Sequence, residues 1–322
     1  MVNKEPIQSP NNVQNKKQQP EKKKYQFDFD ELKMYFREPY MIKMENDKYI
    51  EIMQPSIGDI LQLGDREVYA TISPFITNTT SQRVQLWDMG IDWNKKTDYE
   101  LFAMLVPLIQ DVSFLCRKVE YINNPDYNNQ ISEAENLKLG IEPIIKVVSY
   151  IDFSKLEPYI LKQDVCEDEE EMKKKFILYD PDQDVVITEE TYMHLREYIR
   201  MMFDQHPKEE FAKGKLAKLW IINEEKDKLK REAEKNDGKR KSILLPMVSA
   251  LLNHPGFKYD LDGMKNLGIF AFMDCARRLQ LYEQCTAFLG GMYSGMMDTS
   301  KLGQEELNKR VNWLQDLYKE DL

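Results

Sequence analysis

The chain has 322 residues, 42% of them hydrophobic and 31% charged, which is enough apolar material for a sizeable core and excludes a disordered chain. Its net charge of −10 and pI near 5.1 argue against a general affinity for nucleic acid, whose phosphates demand a basic surface, although a local basic patch is compatible with that balance. Cys116, Cys166, Cys275 and Cys285 lie far apart with no C-x-x-C spacing, so they read as free thiols in a reducing compartment and support no metal site; no apolar run approaches the ~20 residues of a membrane helix, and no ordinary signal peptide is present, so the expected location is the cytoplasm.

Residues 1–24 carry six lysines against two glutamates, a net +4 that leaves −14 for the remainder. With almost nothing to bury, residues 1–26 are expected to be a disordered basic tail. A short helix is expected over 28–37. Alternating residues 40–44 and 49–53 flank the polar Glu45-Asn46-Asp47-Lys48 and predict a β-hairpin. Pro55 ends it, and Ser56 with Asp59 three residues on opens a helix to Leu63, followed by another over 67–76.

Thr97-Asp98-Tyr99-Glu100 has the form of a capping box, in which threonine and glutamate satisfy each other's free backbone amides. The stripe Leu101, Met104, Leu105, Leu108, Val112 and Leu115 predicts one long helix after it, bent at Pro107 because proline removes an amide donor. Residues 123–129 read as a polar loop, and 144–150 are apolar but too short to assign. Residues 156–161, 176–179 and 185–187 read as three short strands, with a charged excursion over 166–175 between the first two. Thr188 then caps a helix whose buried face is Tyr192, Leu195, Ile199 and Met202.

Between residues 224 and 241 lie six acidic and eight basic side chains with only Leu229 and Ala233 among them, a solvated helix or flexible linker with no core face. Ser242 is expected to cap the next helix, with Leu251-Leu252 near its end and Asn253 and Gly256 stopping it. After Asp260 or Asp262 as a cap, Ile269, Phe272, Met273, Ala276 and Leu279 line one face of a helix over 269–289, and Gly290 to Gly295 is expected to turn the chain. Leu307, Val311, Leu314 and Tyr318 would face one way on a last helix, so that three helices close a small core.

The fold expected is therefore mainly α, with helical bundle-like packing, a small β-hairpin near the N-terminus and a small central β-sheet. The expected units are the tail 1–26, a mostly helical domain with hairpin over 27–163, a small sheet plus helix over 164–222, the charged stretch 223–241 and a helical domain over 242–322.

No stretch carries a recognisable catalytic motif. Gly290 and Gly295 match the glycines of a phosphate-binding loop, but Met296 and Met297 stand where its lysine and hydroxyl are required. Ser294 lacks the preceding glycine of a nucleophile elbow, since Met292 is there. Asp180, Asp182 and Asp184 have the first spacing of a calcium loop, yet Val185 and Thr191 replace its glycine and bidentate glutamate, so a β-turn is the better reading. His194, His206 and His254 are isolated. A Cys–His pair such as Cys275 with His254 is chemically permitted, but nothing in the sequence selects it. No cofactor is implied. The 17 methionines are numerous, and Met292, Met296 and Met297 gather with Tyr293 beside the glycines. Such adaptable side chains suit either core filling or a surface that repacks against partners.

Three stretches, Ile50-Glu51-Ile52-Met53-Gln54-Pro55-Ser56-Ile57-Gly58-Asp59-Ile60, the region from Gly90-Ile91-Asp92 to Tyr99-Glu100-Leu101-Phe102, and Gly291-Met292-Tyr293-Ser294-Gly295-Met296-Met297-Asp298, resemble tail-assembly chaperone-like proteins of long-tailed phages and prophages of Gram-positive bacteria. The resemblance implies a non-catalytic protein that binds the tape-measure protein and the tail-tube protein in the host bacterial cytoplasm and is absent from the finished particle. It brings no catalytic residues with it, and the Lys-rich start is outside the matching pattern. A structural tail or neck component of the virion, or an enzyme without a recognisable motif, are the other expectations. Met292, Tyr293, Met296 and Met297 are the candidate partner-binding residues.

Overall fold

The computed structural model describes residues 27, 29–123, 144–162, 174–236, 242–297 and 302–317; the basic tail, most of the 123–129 loop, most of the 166–175 excursion and Tyr318 lie outside them. Among the described residues are eleven α-helices and two small antiparallel sheets, a mainly α fold with a minor β component, as the sequence predicts.

Helix α1 (Glu31–Tyr35) is capped by Asp30 and leads into the expected hairpin, β1 (Tyr40–Lys43) and β2 (Tyr49–Ile52). Ser56 and Asp59 complete a capping box at α2 (Ile57–Leu63), which is followed by α3 (Asp65–Ile76) and the unanticipated α4 (Arg83–Asp88). Thr97 and Glu100 form the second box, at α5 (Asp98–Leu105).

The helix expected to run on to Leu115 stops at Leu105. Val106–Leu108 tighten into a 3-10 turn around Pro107, and the chain then opens so that Val112 and Leu115 enter the core from an irregular segment. An apolar spacing compatible with a helix was thus used twice, by α5 and by the approach to β3 (Cys116–Asn123). β3 pairs with β2, and β4 (Ile144–Tyr150) pairs with β3, so the N-terminal hairpin is half of a four-stranded sheet ordered β1-β2-β3-β4. The predicted three-stranded sheet is present as β5 (Glu157–Lys162), β6 (Lys174–Asp180) and β7 (Val185–Ile187).

Helix α6 (Glu189–Phe203), capped by Thr188, lies at the centre of the body and buries Tyr192, Leu195, Ile199 and Met202 as the pattern requires. It also buries two arginines. Arg196 Nη1 lies 2.6 Å from Asp98 Oδ2, and Arg200 donates to the Ile76 and Thr77 carbonyls at 2.8 and 3.1 Å, satisfying the free carbonyl end of α3. On the same helix His194 Nδ1 is hydrogen-bonded with the Tyr40 hydroxyl at 3.1 Å and its ring makes a T-shaped contact with Phe27 at 5.2 Å, a structural setting in which burial lowers its pKa while Glu190 opposes the shift.

Helix α7 (Lys215–Asn236) joins the apolar start at Leu219 to the charged stretch in one continuous helix. Its first half packs on α4 in a satellite core of Val84, Leu86, Trp93, Leu101, Ala212 and Ile222, and from Lys226 to Glu234 its side chains are exposed. Helix α8 (Leu245–Leu252) starts later than Ser242 predicts: Leu244 holds the cap position without a side-chain bond, while Ser242 Oγ accepts from Leu245 N–H at 3.0 Å and Asp65 accepts from Ser242 Oγ, Ile243 N–H and Leu244 N–H just before the helix. Asp260 caps the short α9 (Leu261–Asn266), and Gly268 precedes the long α10 (Ile269–Tyr293).

The C-terminal helices do not close a core of their own. Leu244, Leu251, Ile269, Phe270, Phe272 and Met273 join the main core with Met34, Ile50, Phe75 and Tyr198, while α11 (Gln304–Val311) has no buried residue and Leu314 is exposed. The join is a backbone seam. Ile57 N–H donates to Leu267 O at 2.9 Å and Ile269 N–H to Pro55 O at 3.1 Å, making an antiparallel bridge between Ser56 and Gly268.

Three outcomes follow from this packing. Phe272→Ala should cost about 3–5 kcal/mol in urea unfolding, because its fully buried ring leaves both a transfer and a cavity term. Gly268→Ala should cost about 1–3 kcal/mol by the same measurement, since a Cβ there would collide with Gln54 Oε1 and lie 2.6 Å from Arg37 Cγ. A depressed histidine pKa favours the neutral form in the fold, so the His194 contribution is present above its ordinary value near ~6.5 and is lost as pH falls through it. Between pH 7 and pH 5 the urea midpoint of the natural chain should therefore drop more than that of His194→Gln.

Candidate partner-binding surface

Helix α10 changes character along its length. Its first turns are enclosed by the body: Arg277 is ion-paired to Asp204 at the end of α6, and Leu279 still packs on the main core. Beyond that point it is covered mainly by α11 and the residues after it. Arg278 Nη1 donates to Trp313 O and Gln315 O at 3.1 and 2.8 Å, Tyr282 meets Trp313 edge-on at 5.7 Å, and Arg310 stacks over Phe288 at 5.6 Å. Cys285 and Phe288 are buried in this two-helix arm.

The four sequence-selected residues sit together at the arm's tip. Gly290 and Gly291, expected to turn the chain, are instead inside the last helical turn, and the turn itself is made at Gly295, where φ is +70°. Gly295 N–H donates to Met292 O at 3.1 Å and Met296 N–H to Gly291 O at 3.1 Å, the two crossed bonds of a Schellman cap, which requires the left-handed conformation glycine tolerates best. The cap projects side chains outward. Tyr293 is 84% exposed, Met296 89% and Met297 41%, while Met292 is partly buried. At Gly290 no atom lies within 4 Å of where a Cβ would be, so the helix surface beside the methionines is bare backbone.

This arrangement offers flexible, polarizable contact area from the methionines beside the ring and hydroxyl of Tyr293. Sequence reading missed Trp313 and Leu314, which are exposed on the residues covering the same arm; the period that placed Leu314 on a buried stripe fails because α11 ends at Val311.

The residues considered for chemistry are dispersed among separate partners. Cys275 Sγ lies 4.0 Å from the Tyr35 hydroxyl, His254 Nε2 2.8 Å from Glu283 Oε1, Asp274 3.7 Å from Arg278, and Arg277 against Asp204. Burial raises the Cys275 thiol, with Asp274 adding to the shift and Tyr35 opposing it, the opposite of the activation a nucleophilic cysteine needs. Asp180, Asp182 and Asp184 form the β6–β7 turn: Asp180 Oδ1 accepts from Asp182 N–H at 2.9 Å, and Asp184 binds Lys48 at 2.6 Å and Asn46. A groove of about 740 Å³ runs beside α7, and Arg83 on its wall is held by Glu210 at 2.5 Å and Glu225 at 2.7 Å. No helix among the described residues is long and apolar enough to cross a membrane.

Compared with known proteins, the chain matches no family model, no curated protein and no solved structure.

Because Tyr293, Met296 and Met297 carry no core packing, Met296→Asp with Met297→Asp should leave the unfolding free energy from urea titration within about 0.5 kcal/mol of the natural chain per position. A larger loss would place the tip in the fold rather than on its surface.

Proposed function

We propose that this protein is a non-catalytic assembly factor of phage tails, a chaperone that holds the tape-measure protein and the tail-tube protein in the host cytoplasm during morphogenesis. One observation supports the reading most: a capped helix end, standing away from the core on a two-helix arm, presents Tyr293, Met296 and Met297 to solvent. A tape-measure chain in transit exposes apolar helix faces. A surface that covers them has to adapt to successive segments, and methionine does so because its unbranched side chain changes rotamer at little strain. The resemblance in residues 50–60 and 291–298 supplies the identity of the partners, and the exposed tip supplies the contact.

The test is co-expression with the tape-measure protein and pull-down through a tag on this chain. The natural chain should retain the tape-measure protein, and the doubly substituted Met296→Asp, Met297→Asp chain should retain at least tenfold less while keeping its circular dichroism spectrum. Equal capture by the folded variant would remove the tip as the contact. No capture by the natural chain would remove the chaperone reading.

A further inference from the structure

Burial sorts the methionines of this fold into those that oxidants reach and those that they do not. Met34, Met44, Met201, Met202, Met264 and Met273 lie in the interior, where the thioether sulfur is reached only when the fold opens. Met89, at the end of α4, is 58% exposed, and Met104, on α5, 38%. Met296 and Met297 stand side by side at the tip of α10, and Met296 is the most exposed methionine among the described residues.

The cap that holds this tip is made by backbone groups. Besides the Gly295 and Met296 amides, Met297 N–H donates to Gly291 O at 3.2 Å, so the cap uses neither methionine side chain. Met297 folds back, its methyl 3.5 Å from where a Cβ on Gly291 would lie, while Met296 is left in water. Residues 284–297 contain no charged side chain, so a contact made here leans on the thioethers and the Tyr293 ring. Chemistry at the two sulfurs therefore changes the surface without removing a bond that shapes it.

We infer that Met296 and Met297 form an oxidant-sensitive modification site, at which a peroxide converts thioether to sulfoxide and releases the partner held by the tip. The inference rests on the reading of this tip as the partner contact. The sulfur lone pair attacks one peroxide oxygen, the O–O bond breaks as the S–O bond forms, and the proton of the attacked oxygen passes to the departing hydroxide, which leaves as water. The thioether is oxidised and the peroxide reduced, with nothing further consumed. The product carries a strong dipole and an acceptor oxygen where an apolar sulfur stood. An apolar helix face offers that oxygen no donor, so binding would strip it of water without replacement. A bound partner covers the same sulfurs, so the free chain is the form that reacts.

Titration of the full chain with hydrogen peroxide, followed by peptide mass mapping, should give the Met296 sulfoxide at least about tenfold faster than the Met34 sulfoxide, with an unchanged circular dichroism spectrum. Capture of the tape-measure protein by the oxidised chain should fall at least about fivefold, and should return after treatment with methionine sulfoxide reductases acting on both sulfoxide epimers. That reversal sets the effect apart from cysteine oxidation. A chain carrying Met89→Leu and Met104→Leu should lose capture on peroxide treatment as the natural chain does, and prebound tape-measure protein should slow oxidation of Met296. Oxidation of Met296 no faster than Met34, full capture by a chain whose Met296 and Met297 are sulfoxides, or a response lost in the leucine-substituted chain would each overturn the inference while partner capture itself stands. Absence of capture by the untreated chain would overturn both this inference and the chaperone reading.

Discussion

Residues 54–57 and 267–270 meet in a seam of backbone bonds on which the remaining architecture depends. Gln54 is buried, and its amide has to be satisfied there: Nε2 donates to Met34 O at 2.8 Å, and Oε1 accepts from Phe270 N–H at 3.3 Å. One side chain thus ties the end of β2 to α1 in one direction and to α10 in the other. The Ser56–Gly268 bridge beside it fixes α2 against α9 and sets where α10 enters the core. Gly268 is required at that point by crowding, since its conformation is ordinary extended backbone with φ at −67°.

A second set of polar contacts surrounds α6 and does for helix ends what the seam does for the sheet. The Arg200 bonds close the C-terminus of α3, while Arg196 reaches Asp98 at the start of α5, whose other oxygen accepts from Thr79 N–H at 2.9 Å. Guanidinium groups suit this interior because they stay charged and present several donors in a fixed fork. Glu197 lies against both arginines, at 2.7 and 3.1 Å, so the cluster is supplied with acids and is not an isolated buried charge. With three helices fixed to α6, the exposed arm and the far half of α7 are the parts left free of the core.

The arm's tip and the carboxylate buried in the first sheet have different physical origins. At the tip of α10 a helix cap leaves large apolar groups in water because the chain turns before anything covers them. At β2 the buried Glu51 carboxylate is held by Arg117 of β3 and Lys146 of β4, at 2.7 and 2.6 Å. The first was visible in the clustering of Met292, Tyr293, Met296 and Met297. The second was not, because it depends on Glu51, Arg117 and Lys146 coming together from three strands.

Features set by neighbouring residues were legible in the sequence. Both capping boxes, the first hairpin, the three-stranded sheet, the Thr188 cap and the α6 stripe each rest on bonds or periodicity within a short window, and all are present. Features set by distant residues were not. The stripe through Leu101 to Leu115 fitted a helix, and only the partners of β3 decided that its second half would abandon one; residues 144–150 became a strand because β3 was there to pair with them. The same holds for the C-terminus, where the amphipathic pattern of α10 fixed a buried face but could not say against what. The seam at Gln54 and Gly268 assigned that face to the main core, because satisfying a buried amide required a backbone from more than two hundred residues away.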